Sequence, residues 1–282
     1  MIALAENNYG KSSVRVMKVK RDGPLHSVKE WKVEVLLSGD FETCFTVGDN
    51  SKILPTDTMK NTVYSRARES TAECIEEFAL ELTQFFLSRN PQVAGVTINI
   101  AATLWQNALS GATPYPSTFV RGTGETQTTT VTSLKGGAAS VVSGLDGLVI
   151  LKTANSGFEG YVHDSLTTLP ETADRLFGTS LTARWTYEST ALPFDALRSK
   201  VREALLGAFA AHDSKSVQHT LYAMAQAVLE TVPQIVDMEL AMPNKHCLLV
   251  DLSRFGQTNP NEIFVPTDEP YGNIVARIAR KK

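Results

Sequence analysis

The strongest constraint on this chain is that its hydrophobic period switches between two and about 3.6 twice, in the same order. Trp31, Val33, Val35 and Leu37 alternate with Lys32 and Glu34, and Val96, Ile98 and Ile100 alternate with Thr97 and Asn99. Thr126 to Thr132 is rich in β-branched residues. Later, Ala183, Trp185 and Tyr187 alternate with Arg184 and Thr186, Val236, Met238 and Leu240 with Asp237 and Glu239, and Ile274, Ala276 and Ile278 close the series. Alternation of this kind predicts antiparallel strands with one face on a core.

Helical patterns lie between the strand groups. Ser70 to Leu87 carries Ile75, Phe78, Leu82 and Phe85 on one stripe, with Ser70 and Glu73 spaced as a capping box. Phe194 to Ala211 carries Leu197, Val201, Leu205 and Phe209. Ser216 to Val232 carries Val217, Leu221, Met224 and Val228, with Ser216 as N-cap and Pro233 past the end. The order predicts an α+β fold of two antiparallel-sheet modules, each backed by helices on one face. The expected modules are 1–136 and 137–282, joined at Gly136-Gly137. No strict residue-level repeat accompanies that symmetry. The stretch from Gly111 to Gly124, rich in Pro, Gly, Ser and Thr, is expected to be a loop or irregular hairpin.

Composition narrows the partners. With 282 residues, 43% of them hydrophobic, there is enough chain for one large core or two modest ones. A formal net charge of −3 carries no polyelectrolyte signal, so neither nucleic acid nor an anionic membrane is an expected partner. Any anion site must then be built locally. Cys44, Cys74 and Cys247 show no C-x-x-C pair and an odd total, which argues against a disulfide framework. The N-terminus lacks a basic segment followed by an apolar run, and no stretch reaches membrane-spanning length. The tail Arg280-Lys281-Lys282 is not a peroxisomal signal. A cytoplasmic protein is expected.

Common cofactor motifs are missing: there is no G-x-G-x-x-G, P-loop, H-E-x-x-H or EF-hand loop. The histidines His26, His163, His212, His219 and His246 show no paired ligand spacing, so no metal is expected. What remains is polar chemistry at element ends. Thr56 precedes Asp57, which can cap a short helix running to about Ala67 and leave free backbone donors beside the Thr56 hydroxyl. Thr168 and Glu171 fit a second capping box, with Pro170 in the first turn and Gly178 as stop; Arg175 then lies near the end of that helix. There it can pair with Glu171 or present a planar fork to an anionic ring. Gln218 follows Ser216 in a helical first turn, where its amide can read a heterocycle edge. Met242-Pro243-Asn244-Lys245-His246 brings an amide, a cation and an imidazole into one turn. Ordinary caps and polar turns explain each segment equally well when taken singly.

Taken in order, the segments resemble one family. Tyr9-Gly10-Lys11, Thr56-Asp57-x-x-Lys60-Asn61-Thr62-x-Tyr64, Leu151-Lys152-x-x-Asn155-Ser156-x-Phe158-x-Gly160 and Thr167-Thr168-Leu169-x-Glu171-Thr172-x-Asp174-Arg175 are similar to urate oxidases (uricases). Val217-Gln218, Pro243-Asn244-Lys245-His246, Asn259-Pro260-Asn261-Glu262 and Pro270-Tyr271-Gly272 continue the likeness. The segment Gly111 to Gly137 has no close counterpart in that pattern.

The resemblance implies a tunnelling fold, a homotetramer around a central tunnel, and active sites at subunit interfaces. It implies cofactor-free oxidation of urate by O2 and water to 5-hydroxyisourate and H2O2. Carried over by motif, Lys11, Thr56 and His246 are catalytic. Thr56, Asp57, Phe158, Arg175, Val217, Gln218 and Asn244 bind urate or O2. A lysine acts as base only where its surroundings favour the neutral amine. Two other readings remain open: another tunnelling-fold enzyme acting on purines or pterins, and a non-catalytic purine-binding homologue.

Overall fold

Most period-two segments become strands whose apolar half lies in the core, but the closing series does not: Ala276 is exposed, Ile274 and Ile278 are only partly covered, and Ile274 precedes its strand. The computed structural model describes residues 2–281, and the chain divides into two units. The first gathers the chain up to Leu145 with Thr186–Asp195; the second gathers Asp146–Trp185 with the chain from Ala196 onward. Lys282, the last letter of the basic tail, lies outside the described residues.

The first unit contains β1 (Tyr9–Lys20), β2 (Ser27–Gly39), α1 (Glu42–Thr46), α2 (Thr56–Glu69), α3 (Ile75–Arg89), β3 (Val93–Ser110), β4 (Thr113–Leu134) and the start of β5 (Ser140–Lys152). Strands β1 to β4 pair antiparallel in chain order. Val33, Val35 and Leu37 lie opposite Ile100, Ile98 and Val96, and all six are buried. They meet Met59 and Val63 of α2 and Phe78, Leu82 and Phe86 of α3; the Trp31 and Phe78 rings stack at 4.8 Å. The other face is polar. There Ser12 donates to Glu34, Asn99 donates to the second Glu34 oxygen at 2.8 Å, and Thr130 donates to Asn99 at 2.7 Å.

Two expectations in this unit need correction. The helix expected from Ser70 begins at Ile75, and the capping box is formed by Cys74 and Glu77 rather than Ser70 and Glu73. Ser70 instead ends α2: its N–H donates to the Arg66 carbonyl, and its backbone is extended. The buried ring in the last turns is Phe86, while Phe85 lies under the guanidinium groups of Arg66 and Arg89. The Gly111 segment is indeed an irregular hairpin. Its turn sits at Gly111 (φ 62°), and two register shifts interrupt the β3–β4 pairing, but β4 is already strand from Thr113.

The second unit contains the end of β5, then β6 (Phe177–Tyr187, which ends in the first unit), α4 (Phe194–Ala211, whose first two residues also belong there), α5 (Val217–Thr231), β7 (Ile235–Ala241), β8 (Asn244–Lys245), β9 (Cys247–Leu249), β10 (Phe264–Pro266) and β11 (Val275–Ala279). Strand order runs β5-β6-β7-β11, with β8 paired to β6 and with β9 and β10 forming a separate ribbon. Leu181, Ala183 and Trp185 of β6 and Met238 and Leu240 of β7 are buried, as are Val201 and Leu205 of α4 and Leu221, Met224 and Val228 of α5. Both helices match their expected spans, and Ser216 caps α5 by accepting from the His219 N–H at 3.1 Å. The α+β class holds, with antiparallel sheets and helices in each unit.

Candidate active site

In the first unit, a strand and a helix start bring together Lys11, Thr56 and Asp57. Gly10 packs so tightly on β2 that a Cβ there would lie 1.8 Å from the Val35 carbonyl oxygen. Beyond Lys11 the β1–β2 register shifts, and Ser13 adopts φ 59°. That bulge aims Lys11 differently from the regular ladder that follows. Thr56 is the first residue of α2, and the first helical hydrogen bond runs from the Met59 N–H to the Pro55 carbonyl. The N–H groups of Thr56, Asp57 and Thr58 therefore have no acceptor within the helix.

Asp57 is not the cap that the sequence suggests: no side chain caps α2. Its carboxylate is engaged by Lys60 and by the Asn61 amide. The Lys60 hydrogen bond and charge hold it below the usual carboxylate range, and the positive charge of Lys11 adds to that pull. With its carboxylate committed, Asp57 presents its backbone N–H. Among the described residues, neither the Lys11 amine nor the Thr56 hydroxyl has a hydrogen-bond or ion-pair partner, so both remain available to a ligand.

In the second unit the site is carried by a loop. The helix expected over 168–175 does not form: residues 153–176 contain no helix. Long-range backbone partners take the groups a helix would have used. Phe158 and Thr172 exchange hydrogen bonds (N···O 2.7 and 3.2 Å), and the Arg175 N–H donates to the Ser156 carbonyl at 2.7 Å. Glu171 accepts from the Gly160 N–H at 3.0 Å, which lowers its pKa; it does not pair with Arg175. Gly178 does not stop a helix but lies within β6.

The loop is fastened to the start of α5. The Gly157 N–H donates to the Ser214 carbonyl at 2.8 Å, and the Ser214 N–H to the Asn155 carbonyl at 3.0 Å. Ser214 is itself buried, accepting from the Thr220 hydroxyl at 2.8 Å. The path from Phe158 to Val217 and Gln218 is therefore short and hydrogen-bonded throughout. The Arg175 guanidinium carbon lies 5.0 Å from the centre of the Phe158 ring, and burial lowers the Arg175 pKa. Tyr161 stacks on one face of Phe158 at 4.6 Å, and His163 stacks on Tyr161 at 4.8 Å.

Asn244 lies opposite Thr179 on β6, and its N–H donates to the Gly272 carbonyl at 2.9 Å. Thr179 is buried, and its hydroxyl has no hydrogen-bond partner among the described residues. Lys245 is spent on Asp268, with which it forms an ion pair. The His246 carbonyl accepts from the Thr267 N–H at 2.8 Å, which fixes the backbone beside its ring. The second unit thus carries a flat aromatic shelf and a half-buried guanidinium on a loop fastened beside the start of α5, and separately an amide and an imidazole at Asn244 and His246 next to β6. Among the described residues, no three His, Cys, Asp or Glu side chains gather in a metal-holding group, and the three cysteines are free thiols.

A family model described as Uricase matches residues 7–132 and 141–275 of this chain. The chain belongs to the uricase family. The match covers Gly111 to Thr132, so that part of the segment does have a family counterpart, while residues 133–140, which include Gly136-Gly137, fall outside it. The uricase of Arthrobacter globiformis is 41% identical over 280 residues, covering 99% of this chain and 91% of that protein. The uricase of Oryctolagus cuniculus is 36% identical over 286 residues, covering 99% and 95%. The crystal structure of the Arthrobacter globiformis uricase matches with a TM-score of 0.95 at 40% identity, covering 100% of this chain and 96% of that one.

Sequence reasoning missed the residues that hold the candidate site residues in place rather than belong to them. Tyr9, Tyr161, Ser214 and Thr220 are such supports. The only sequence signal for them is adjacency: Tyr9 stands two residues before Lys11, and Tyr161 three after Phe158.

Proposed function

We propose that this chain is a urate oxidase: urate, O2 and water become 5-hydroxyisourate and H2O2. The observation that carries the reading, beside the family match, is the Arg175 guanidinium set over the Phe158 ring, on a loop hydrogen-bonded to the residues just before α5, whose Val217 and Gln218 N–H groups have no acceptor within the helix. An aromatic shelf with a planar cation suits a flat anionic purine. Arg175 and the Gln218 amide clamp one ring edge, helped by the Val217 N–H. The Thr56 hydroxyl and the Asp57 N–H hold the opposite edge.

Deprotonated urate is electron-rich enough to give two electrons to O2, which leaves as H2O2 after taking up two protons. One of those protons comes from the urate monoanion and one from the protein; water then adds its hydroxyl to the oxidised ring carbon, and the proton it releases restores the protein's. The protein's task is to take protons, hold the reactants in register and exclude other reactions. Lys11 serves as base, relayed through the Thr56 hydroxyl and the His246 ring, and Asn244 holds O2 and then water above the purine.

The chemistry needs both groups on one substrate, and the reading unites them across copies of the chain. Lys11, Thr56 and Asp57 come from one subunit, and Phe158, Arg175, Val217, Gln218, Asn244 and His246 from its neighbour. The assembly is a homotetramer of tunnelling-fold modules divided at Gly136-Gly137, working in the cytoplasm. Among the described residues no helix is long and apolar enough to cross a membrane.

The test is loss of urate absorbance under air with stoichiometric H2O2 release, using chelator-treated protein. Equal activity before and after chelation supports the reading. No turnover overturns it, and turnover that disappears with the metal overturns its cofactor-free form. Dilution to monomers should abolish activity.

A further inference from the structure

Tyr9 opens the motif that carries Lys11, but the mechanism above gives its phenol nothing to do. The structure gives it an unusual pair of contacts. Its hydroxyl accepts from the Leu54 N–H at 2.8 Å and donates to the Leu54 carbonyl at 3.1 Å, so it grips both ends of one residue's backbone. The ring is pinned edge-on against the fully buried Phe41 at 4.8 Å. Burial raises the Tyr9 pKa, so the phenol keeps the proton it donates well into the alkaline range.

The clamp lies two residues from each of two catalytic groups. On the strand side, Gly10 separates Tyr9 from Lys11, and the Gly10 contact with Val35 leaves no slack. On the helix side, Pro55 separates Leu54 from Thr56 and holds φ at −55°. Pro has little freedom there, so wherever the Leu54 peptide is placed, the Thr56 hydroxyl and the free N–H groups of α2 follow. Few other long-range ties restrain the loop before α2. Lys52 is held through its carbonyl by Gln92 at 3.0 Å and through its amine by Asp40, but both act upstream of Leu54.

We propose that Tyr9 is a positioning residue for the proton-transfer pair: its hydroxyl sets the distance between Lys11 on β1 and Thr56 at the start of α2. The proposal rests on the urate-oxidase roles given above to Lys11 and Thr56. It requires no contact between Tyr9 and substrate.

Tyr9→Phe keeps the ring on Phe41 and removes only the clamp. Its kcat for urate should fall about 10- to 100-fold while KM changes less than about 3-fold, as expected when reacting groups drift by a fraction of an ångström. The kcat–pH profile should shift, because the base and its relay no longer share one geometry. Amide exchange over 53–58 should speed up in the same variant. Gln92→Leu, which loosens the same loop at Lys52, is the control for general slackness and should leave kcat and its pH profile unchanged.

An active Tyr9→Phe enzyme with unaltered kcat and pH profile overturns the proposal, as does an equal loss of kcat in Gln92→Leu. Urate turnover by the unmodified protein decides the activity separately. If the unmodified protein does not oxidise urate, that reading fails, and the exchange rate of 53–58 in Tyr9→Phe still decides whether the clamp exists.

Discussion

The two groups that make up the proposed site are built in opposite ways. Lys11, Thr56 and Asp57 stand on a strand and a helix start, placed by the β1–β2 pairing up to the bulge beyond Lys11 and by the first turn of α2. Phe158 and Arg175 stand on an irregular stretch, placed by a handful of backbone bonds to Ser156, Thr172 and Ser214. The division matches the work. The first group moves a proton, which tolerates little drift. The second binds a flat ring by area and charge, where a loop that can adjust costs less. On the proposed roles, the strand and helix start carry the proton-transfer pair of Lys11 and Thr56, and the fastened loop of Phe158 and Arg175 carries recognition of the ring.

That comparison breaks if a change at Lys11 acts on binding, or if a change at Phe158 or Arg175 acts on turnover. The largest effect is expected from Lys11→Met, which removes the base and keeps the length of the side chain. Its kcat should fall by about 10²- to 10⁴-fold, the usual worth of a positioned acid or base. Anaerobic urate binding should be little changed. Unchanged turnover removes Lys11 from the mechanism.

Arg175→Ala should act the other way. Hydrogen bonds to a charged group contribute about 1.5–3 kcal/mol, so urate affinity should weaken by roughly 10- to 100-fold, with kcat at saturation changed far less. Anaerobic titration measures it, and an unaltered affinity disproves the clamp.

The same contrast explains what could be read from the sequence. Helices α4 and α5 and strands β2, β3, β6 and β7 were legible because their own side chains repeat at the period of the structure they form. Strand β1 was not, because the bulge at Ser12 and Ser13 interrupts its pairing before Val14 and Val16 begin their alternation. The region around Ser70 misled because its hydroxyl caps nothing longer than a turn, accepting from the Ala72 N–H at 3.0 Å. At 168–175 the local signals for a helix are real, but they lose to partners such as Ser156, which are distant in sequence and invisible to local spacing. The identities of Lys11 and Phe158 came from the family likeness, while their surroundings needed coordinates.

Glycine substitutions sharpen the contrast between frame and loop. A Cβ on Gly157 would lie 2.9 Å from the Ala173 carbonyl oxygen and 3.2 Å from that of Thr172. All the atoms it would meet are backbone, so the loop itself must shift, and Gly157→Ala should cost about 1–3 kcal/mol, appearing as a KM for urate at least roughly 5-fold higher. At Gly10 the approach is 1.8 Å to strand backbone, and no such yielding is available. A Gly157→Ala enzyme with normal KM but reduced kcat would mean that the loop sets reaction geometry, against the division drawn here.

The smallest effect lies at the far end of β1, where the frame is tied but no substrate binds. Glu73 accepts from Lys20 at 2.7 Å and from Lys29 at 2.9 Å, joining the α2–α3 connection to β1 and β2. Those two hydrogen bonds lower its pKa from 4.5 to about 2. A depressed folded-state pKa gives stability that is fully present above the unfolded value, near 4.3. That stability drains away as pH falls through about 2. The Glu73 side chain is 67% exposed, so solvent screening holds its worth to about 1 kcal/mol or less. Glu73→Gln should therefore unfold slightly earlier in denaturant at pH 7, and its deficit should shrink toward zero as the pH approaches 2 or as salt rises. Its kcat and KM should not move. If kcat fell with this variant, the frame would be coupled along the whole of β1, and the placement of Lys11 would depend on more than the bulge and the Gly10 contact beside it.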